Sequence, residues 1–233
     1  MKTSGFLSLV LIFVLLLPQV NALAQNDFSY GFRIGTNMAD IQMEDDEFSE
    51  SYGNRFGLAF GAFMSFPLNE RFSVQPEVWY MQKGGETEFE FSFLGEDFSF
   101  KSSLIFEYIE IPVLIRYAPV VQGKAAPNLF AGPSAGFLTA AKFKLEADGE
   151  SESTSIKSSL KSTDISLIFG GGLDFRLGFS TLAVDIRYML GLSNILKSPI
   201  EDDFEDGFDE IDNGDSNGSI KNKGLTITLG LRF

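Results

Sequence analysis

The chain contains neither cysteine nor histidine. Without cysteine there is no disulfide, no thiol nucleophile and no lipid-bearing cysteine behind an export signal. Without histidine the commonest general base and metal ligand is missing. Neither a Ser-His-Asp nor a Cys-His arrangement can then be assembled. No serine sits in a recognisable nucleophile elbow, and Gly170-Gly171-Gly172 lacks the following Lys-Ser/Thr pair of a phosphate loop. Those glycines read as relief for backbone curvature. The expectation is a non-enzymatic protein with no cofactor and no metal site.

Basic charge is scarce as well. Lys and Arg number 18 against 32 Asp and Glu, a formal charge of −14. Nucleic acid is excluded as a partner, because phosphate neutralisation demands a basic face. Long apolar runs are also missing, apart from residues 6–17, interrupted only by Ser8. That run is about a dozen residues, short of the roughly 20 that a spanning helix needs. Lys2 precedes it and Ala22-Leu23-Ala24 follows it, the layout of a cleaved secretory signal. Residues 1–24 are therefore read as signal peptide and 25–233 as one mature domain. Membrane insertion of the mature part then falls to strands.

What the sequence has in abundance is alternation. At the C-terminus Leu225, Ile227, Leu229, Leu231 and Phe233 share one face, and Thr226, Thr228, Gly230 and Arg232 the other. Eight such segments are legible, at 28–38, 55–66, 72–82, 108–117, 128–143, 164–177, 181–190 and 223–233. Each is about the 10 residues a tilted strand needs to cross the hydrocarbon. Only the fifth has ambiguous faces. Connections after the second, fourth and sixth are short, while those after the first, third, fifth and seventh are long and polar. Bacterial outer-membrane barrels have even strand numbers, short periplasmic turns and long extracellular loops. The reading is an all-β, eight-stranded antiparallel up-and-down transmembrane β-barrel with long extracellular loops. A soluble periplasmic ligand-binding barrel predicts the reverse polarity, apolar inside and charged outside.

Within the strands the charges share a face with Gly, Ser and Thr. Arg33, Glu77, Glu110, Arg116, Asp174, Arg176, Asp185, Arg187 and Arg232 are expected to point inward. An eight-stranded interior is filled by side chains, and an unpaired buried charge is costly. These residues are read as an interdigitated structural network that makes the barrel a plug. A proton or solute pathway is the rival reading.

The loops differ in character. Residues 83–106 alternate on both sides of Leu94-Gly95-Glu96, as in a hairpin rising past the membrane. Phe89, Phe91, Phe93, Phe98 and Phe100 form a stripe on it, either packed against neighbouring loops or free to dock a partner. Residues 145–163 read as a solvated, mobile loop. Glu201, Asp202, Asp203, Glu205, Asp206, Asp209, Glu210, Asp212 and Asp215 crowd the last loop. A solvated, self-repelling loop is the default there, with weak divalent binding as the alternative. The stretch 213–218 matches a calcium loop poorly, with Asn213 first and Gly224 where the bidentate Glu belongs.

The segments Tyr30-Gly-Phe-Arg-Ile-Gly-Thr-Asn-Met38, Tyr108-Ile-Glu-Ile-Pro-Val-Leu-Ile-Arg-Tyr117 and Ala131-Gly-Pro-Ser-Ala-Gly136 resemble the PorT-family outer-membrane β-barrels of Bacteroidetes, small barrels of the OmpA/OmpX kind. So do Gly170-Gly-Gly-Leu-Asp174, Asp185-Ile-Arg-Tyr188, Gly191-Leu-Ser-Asn194 and the closing strand, and the likeness covers nearly all of the mature chain. The resemblance implies an integral protein of the Gram-negative outer membrane. Through the family's founding member it implies a link with type IX protein secretion, and it brings no catalytic residues. The expected function is a protein-interacting barrel, associated with secretion or surface assembly. The alternatives are an adhesive or structural surface barrel and a small-solute channel. Expected contacts are outer-membrane lipid, the barrel-assembly machinery that reads Phe233, and a secretion or surface protein.

Overall fold

A computed structural model describes residues 28–43, 53–93, 96–147, 150–197 and 219–233. Residues 1–24, expected to be a signal peptide, and the acidic stretch 201–215 lie outside these. Among the described residues nine strands follow one another: β1 (Ser29–Met43), β2 (Arg55–Pro67), β3 (Phe72–Phe93), β4 (Glu96–Tyr117), β5 (Ala125–Ala147), β6 (Glu150–Ser155), β7 (Thr163–Arg176), β8 (Thr181–Gly191) and β9 (Ile220–Arg232). Eight of them form a ring in which each strand pairs antiparallel with its neighbour, and β1 closes on β9 from Gly31↔Arg232 to Met43↔Ile220. Closure leaves no backbone edge facing lipid, the condition for a sheet to cross a membrane. The ninth strand, β6, stands outside the ring and pairs only with the upper part of β5.

The alternation sorts lipid from lumen. Phe32 and Ile34 on β1, Phe56 and Leu58 on β2, and Ile227 and Leu229 on β9 are exposed, whereas Arg33, Asn37, Thr226 and Thr228 between them are buried. Rings pair across strands on the outer face, as in Phe72 with Tyr117 and Phe169 with Tyr188. Such an apolar outer band with aromatic flanks is what hydrocarbon selects.

The fifth strand explains its own ambiguity. Tyr108 pairs with Leu138 but Glu107 pairs with Ala140, so Thr139 is an extra residue opposite β4. This bulge inverts the parity of β5. Before it Phe130 and Ser134 are buried, and after it Ala141 is. Thr139 Oγ1 donates to the Glu107 carbonyl at 2.9 Å across the irregularity.

Short turns at residues 68–71, 118–124 and 177–180 lie at the end that carries both described chain ends, which in this class is periplasmic. At the opposite end the strands overrun the ring. The β3–β4 hairpin is paired continuously from Gly84↔Ile105 to Phe93↔Glu96. The stretch expected to be a mobile loop at 145–163 is more regular than its polar composition suggests. It contains β6, whose residues are all exposed, and a single 3-10 turn at Lys157–Ser159. Pairing of Lys142↔Ser155 through Ala147↔Glu150 gives its backbone the partners that composition alone cannot reveal.

Candidate functional site

The lumen is charged at three levels. Nearest the periplasm, Asp174 on β7 accepts from Arg116 Nη2 at 2.5 Å, Arg232 Nη1 at 3.0 Å and Asn128 Nδ2 at 3.3 Å. All four side chains arrive by strand parity, from β4, β9, β5 and β7.

The middle level centres on Glu77. Arg187 grips it with two donors, Nη1 at 2.5 Å and Nη2 at 3.1 Å. Arg33 Nη1 donates at 3.0 Å, Gln75 Nε2 at 2.6 Å and Trp79 Nε1 at 2.6 Å. Asp185 completes the level, 2.9 Å from Arg33 Nε. The guanidinium carbons of Arg33 and Arg187 sit 3.9 Å above the Phe63 ring and 4.7 Å above the Trp79 ring. Two cations face two anions here, so mutual attraction offsets part of their desolvation, while Arg33 Nη2, Arg187 Nε and the Asp185 carboxylate make no hydrogen bond among the described residues. Small neighbours make the space. A Cβ on Gly61 would lie 2.6 Å from the Trp79 ring, and one on Gly170 would lie 2.7 Å from Phe130.

In the outermost level Glu110 is expected from the sequence pattern, whereas Lys83 and Asp164 are not. Lys83 Nζ bridges Glu110 and Asp164, the latter at 2.9 Å, and lies 4.6 Å from the centre of the Tyr108 ring. Asn222 Nδ2 and Ser193 Oγ also donate to Asp164, both at 2.9 Å. The sequence pattern puts Lys83 at the start of a loop, yet it is fully buried inside the barrel. Its odd number matches Gln75, Glu77 and Trp79, so extending the third strand by one residue would have placed it inward. Asp164 shares parity with Ser166 and Asp174 in the same way.

Above this level an apolar plug closes the mouth. Ile41, Phe106, Tyr108, Leu138, Ala141, Leu160 and Ile195 pack together, joined by Ile156, Leu196 and Ile220. The lid segments are tied by the Leu160↔Leu196 bridge and by Ile195 N–H donating to the Ile220 carbonyl at 2.9 Å. Between the middle and outer levels lies a cavity of ≈10 Å³ touching Trp79, Glu110, Arg187 and Thr226, room for about one water.

Of the nine inward charges named from sequence, eight lie in this network or against it. Arg176 does not. It is exposed at the periplasmic rim, where its Nη1 donates to the Gly123 carbonyl at 3.4 Å. Its parity is inward, but the strand ends there and the side chain leaves the lumen. The network then holds Arg33, Lys83, Arg116, Arg187 and Arg232 against Glu77, Glu110, Asp164, Asp174 and Asp185. Cations and anions are equal in number, so the interior is neutral although the chain carries −14. Among the described residues no group of three or more Asp or Glu is placed to hold a metal ion.

Outside the ring, Phe89 and Phe100 face each other across the β3–β4 hairpin, and Phe89 is exposed. Phe91 pairs with Phe98, and Phe93 with Glu96. At the other end Phe233 N–H donates to the Tyr30 carbonyl at 2.8 Å and the two rings stand 5.9 Å apart.

A closed antiparallel ring with an apolar outer face and an ion-paired interior defines an integral membrane β-barrel. A family model described as outer membrane protein beta-barrel domain matches residues 23–197, and the chain belongs to that family. Its place is the outer membrane. No curated protein matches the chain. Among solved structures, Neisserial surface protein A (NspA) is 13% identical over 88% of this chain and 95% of its own, with a TM-score of 0.46. Ail, the attachment invasion locus protein of Yersinia pestis, solved with the heparin analogue sucrose octasulfate, is 15% identical over 89% and 100%, TM-score 0.39. A major outer membrane protein from Thermus thermophilus is 11% identical over 88% and 99%, TM-score 0.42.

Proposed function

We propose that this barrel is a non-enzymatic membrane anchor that presents the β3–β4 hairpin to a protein partner, in secretion or surface assembly. The PorT-like segments of the sequence support the same role in a Bacteroidetes cell. One observation carries the proposal. The ladder between β2 and β3 ends at Ala59↔Met81, followed only by the isolated Gly53↔Glu86 bridge, whereas β3 continues to Phe93. From Thr87 onward the outer edge of β3 has no strand beside it among the described residues. An unpaired edge with an exposed phenylalanine offers backbone hydrogen bonds and an apolar anchor to an added strand.

The filled lumen argues against a solute channel, and the buried carboxylates are occupied by cations instead of facing a substrate cleft. Crosslinking in intact cells followed by recovery of the tagged protein tests the proposal. A stoichiometric protein partner, lost when residues 87–100 are replaced by a short Gly-Ser turn, is the expected outcome. Recovery of a lone monomer would overturn it and favour a self-standing adhesive barrel. Conductance steps of the purified barrel in a planar bilayer would instead support the channel.

A further inference from the structure

The outer rim of the barrel is not uniform in charge. Elsewhere on it Lys223 and Lys101 each have a carboxylate: Lys223 Nζ is 2.9 Å from Asp40, and Lys101 Nζ is 3.2 Å from Glu86. The wall where β5 meets β7 is different. Lys157 Nζ donates to the Thr139 carbonyl at 2.7 Å and Lys161 Nζ to the Asn194 carbonyl at 3.0 Å. Those described partners are neutral. Lys142, outward-facing and exposed, is flanked by a single carboxylate, Glu107, at 4.0 Å.

The backbone brings the three lysines to the same part of this wall. Thr139 is three residues from Lys142 on the same strand. Leu138 N–H donates to the Ser162 carbonyl, which brings Lys161 beside it, and Phe137 pairs with Thr163. Directly below on β7, Ile165 and Leu167 face outward and are exposed, 44% and 40%. A cluster of lysines therefore stands immediately above an apolar, acyl-chain-facing wall.

We infer that Lys142, Lys157 and Lys161 bind the phosphate groups of a phosphorylated outer-leaflet lipid whose acyl chains lie against Ile165 and Leu167. An amphiphile with anionic phosphates at the headgroup level fits both halves of the surface. Basic clusters at the membrane boundary gain affinity for such headgroups with each added lysine. A chain with a net charge of −14 repels anions overall, so this attraction is local.

The test uses the full mature barrel in phosphatidylcholine nanodiscs doped with bisphosphorylated lipid A, then extracted and weighed by native mass spectrometry. The wild-type barrel is expected to carry lipid A out of the disc, and dephosphorylated lipid A to be left behind. The triple variant K142Q/K157Q/K161Q should retain about tenfold less or lower still, while K101Q/K223Q retains it fully. Lys157 and Lys161 also hold backbone carbonyls, so K142E alone provides a second variant that removes no described hydrogen bond. It should lower retention several-fold with the barrel's heat-shifted gel mobility unchanged. Wild-type retention by K142E and the triple variant, or equal retention of dephosphorylated lipid A, would overturn the assignment. Displacement by millimolar inorganic phosphate would also overturn it, showing an adventitious anion site only.

Discussion

Lys83 Nζ lies 2.9 Å from Asp164 Oδ2, joining β3 to β7 across the lumen, directly beneath the apolar plug. The same carboxylate holds Ser193 Oγ, and Ser193 Oγ accepts from the Ile165 N–H at 2.9 Å. The lid segment carrying Ile195 is thus tied to a buried ion cluster, and the plug and the network form one unit.

Removing one partner of that cluster should cost far more than removing all of it. Lys83→Met leaves Glu110 and Asp164 facing each other without a cation, and breaking a buried pair costs about 3–5 kcal/mol. The neutral triple variant K83M/E110Q/D164N removes the three charges together and should recover most of the loss. Urea unfolding of the refolded barrel in detergent measures both. A triple variant no more stable than K83M would show that the charges are not the source of the effect.

Glu77 offers a spectroscopic test of the middle level. The chain has a single tryptophan, and Trp79 Nε1 donates to Glu77 Oε2 at 2.6 Å. Glu77→Gln leaves Arg33 and Arg187 without their shared carboxylate and weakens the indole hydrogen bond. We expect destabilisation of about 3 kcal/mol or more together with a shift in tryptophan emission in the folded state. An unchanged spectrum would mean that Trp79 is not held by Glu77.

Much of this was legible in the chain, and the gaps have physical causes. Period-two alternation places Arg33, Glu77, Asp174 and Arg187 inward wherever both strand faces are unambiguous. It fails on β5 because Thr139 is a bulge, and an inserted residue reverses every later side chain. It misses Lys83 because the third segment is ended at Gln82 and Lys83 falls to the hairpin above the membrane, while in the fold β3 runs on inside the ring and pairs Gly84 with Ile105. Which charges meet is beyond any local pattern. Asp174 and Arg116 are 58 residues apart, and only the stagger of the ring sets them at one height. The plug was invisible for the same reason. Leu160 and Ile195 sit in polar connections and become core only when the lid folds over the mouth.

Gly61 tests the fit between small and large inward residues. A methyl group there meets the Trp79 ring at 2.6 Å and the Val78 carbonyl at 2.6 Å. Gly61→Val should destabilise by about 1–3 kcal/mol through overpacking. The companion change Trp79→Leu should relieve part of it, read as non-additivity in a double-mutant cycle. Strict additivity would mean that the two side chains do not compete for the same space.

The terminal phenylalanine separates folding from assembly. Phe233 and Tyr30 exchange backbone hydrogen bonds at 2.8 and 3.1 Å, the last rung of the β1–β9 seam. Deleting Phe233 removes both bonds, each worth about 1 kcal/mol, so refolding in detergent weakens for a purely structural reason. Phe233→Leu keeps the backbone and a comparable apolar surface, so its stability in detergent should stay within about 1 kcal/mol of wild type. If the assembly machinery reads a terminal aromatic, this variant should nevertheless reach the outer membrane poorly, while Phe233→Tyr arrives normally. Quantifying barrel in outer-membrane fractions, beside unfolding midpoints of the purified variants, distinguishes the two effects. Wild-type levels of the leucine variant in the membrane would reduce Phe233 to a structural residue of the seam.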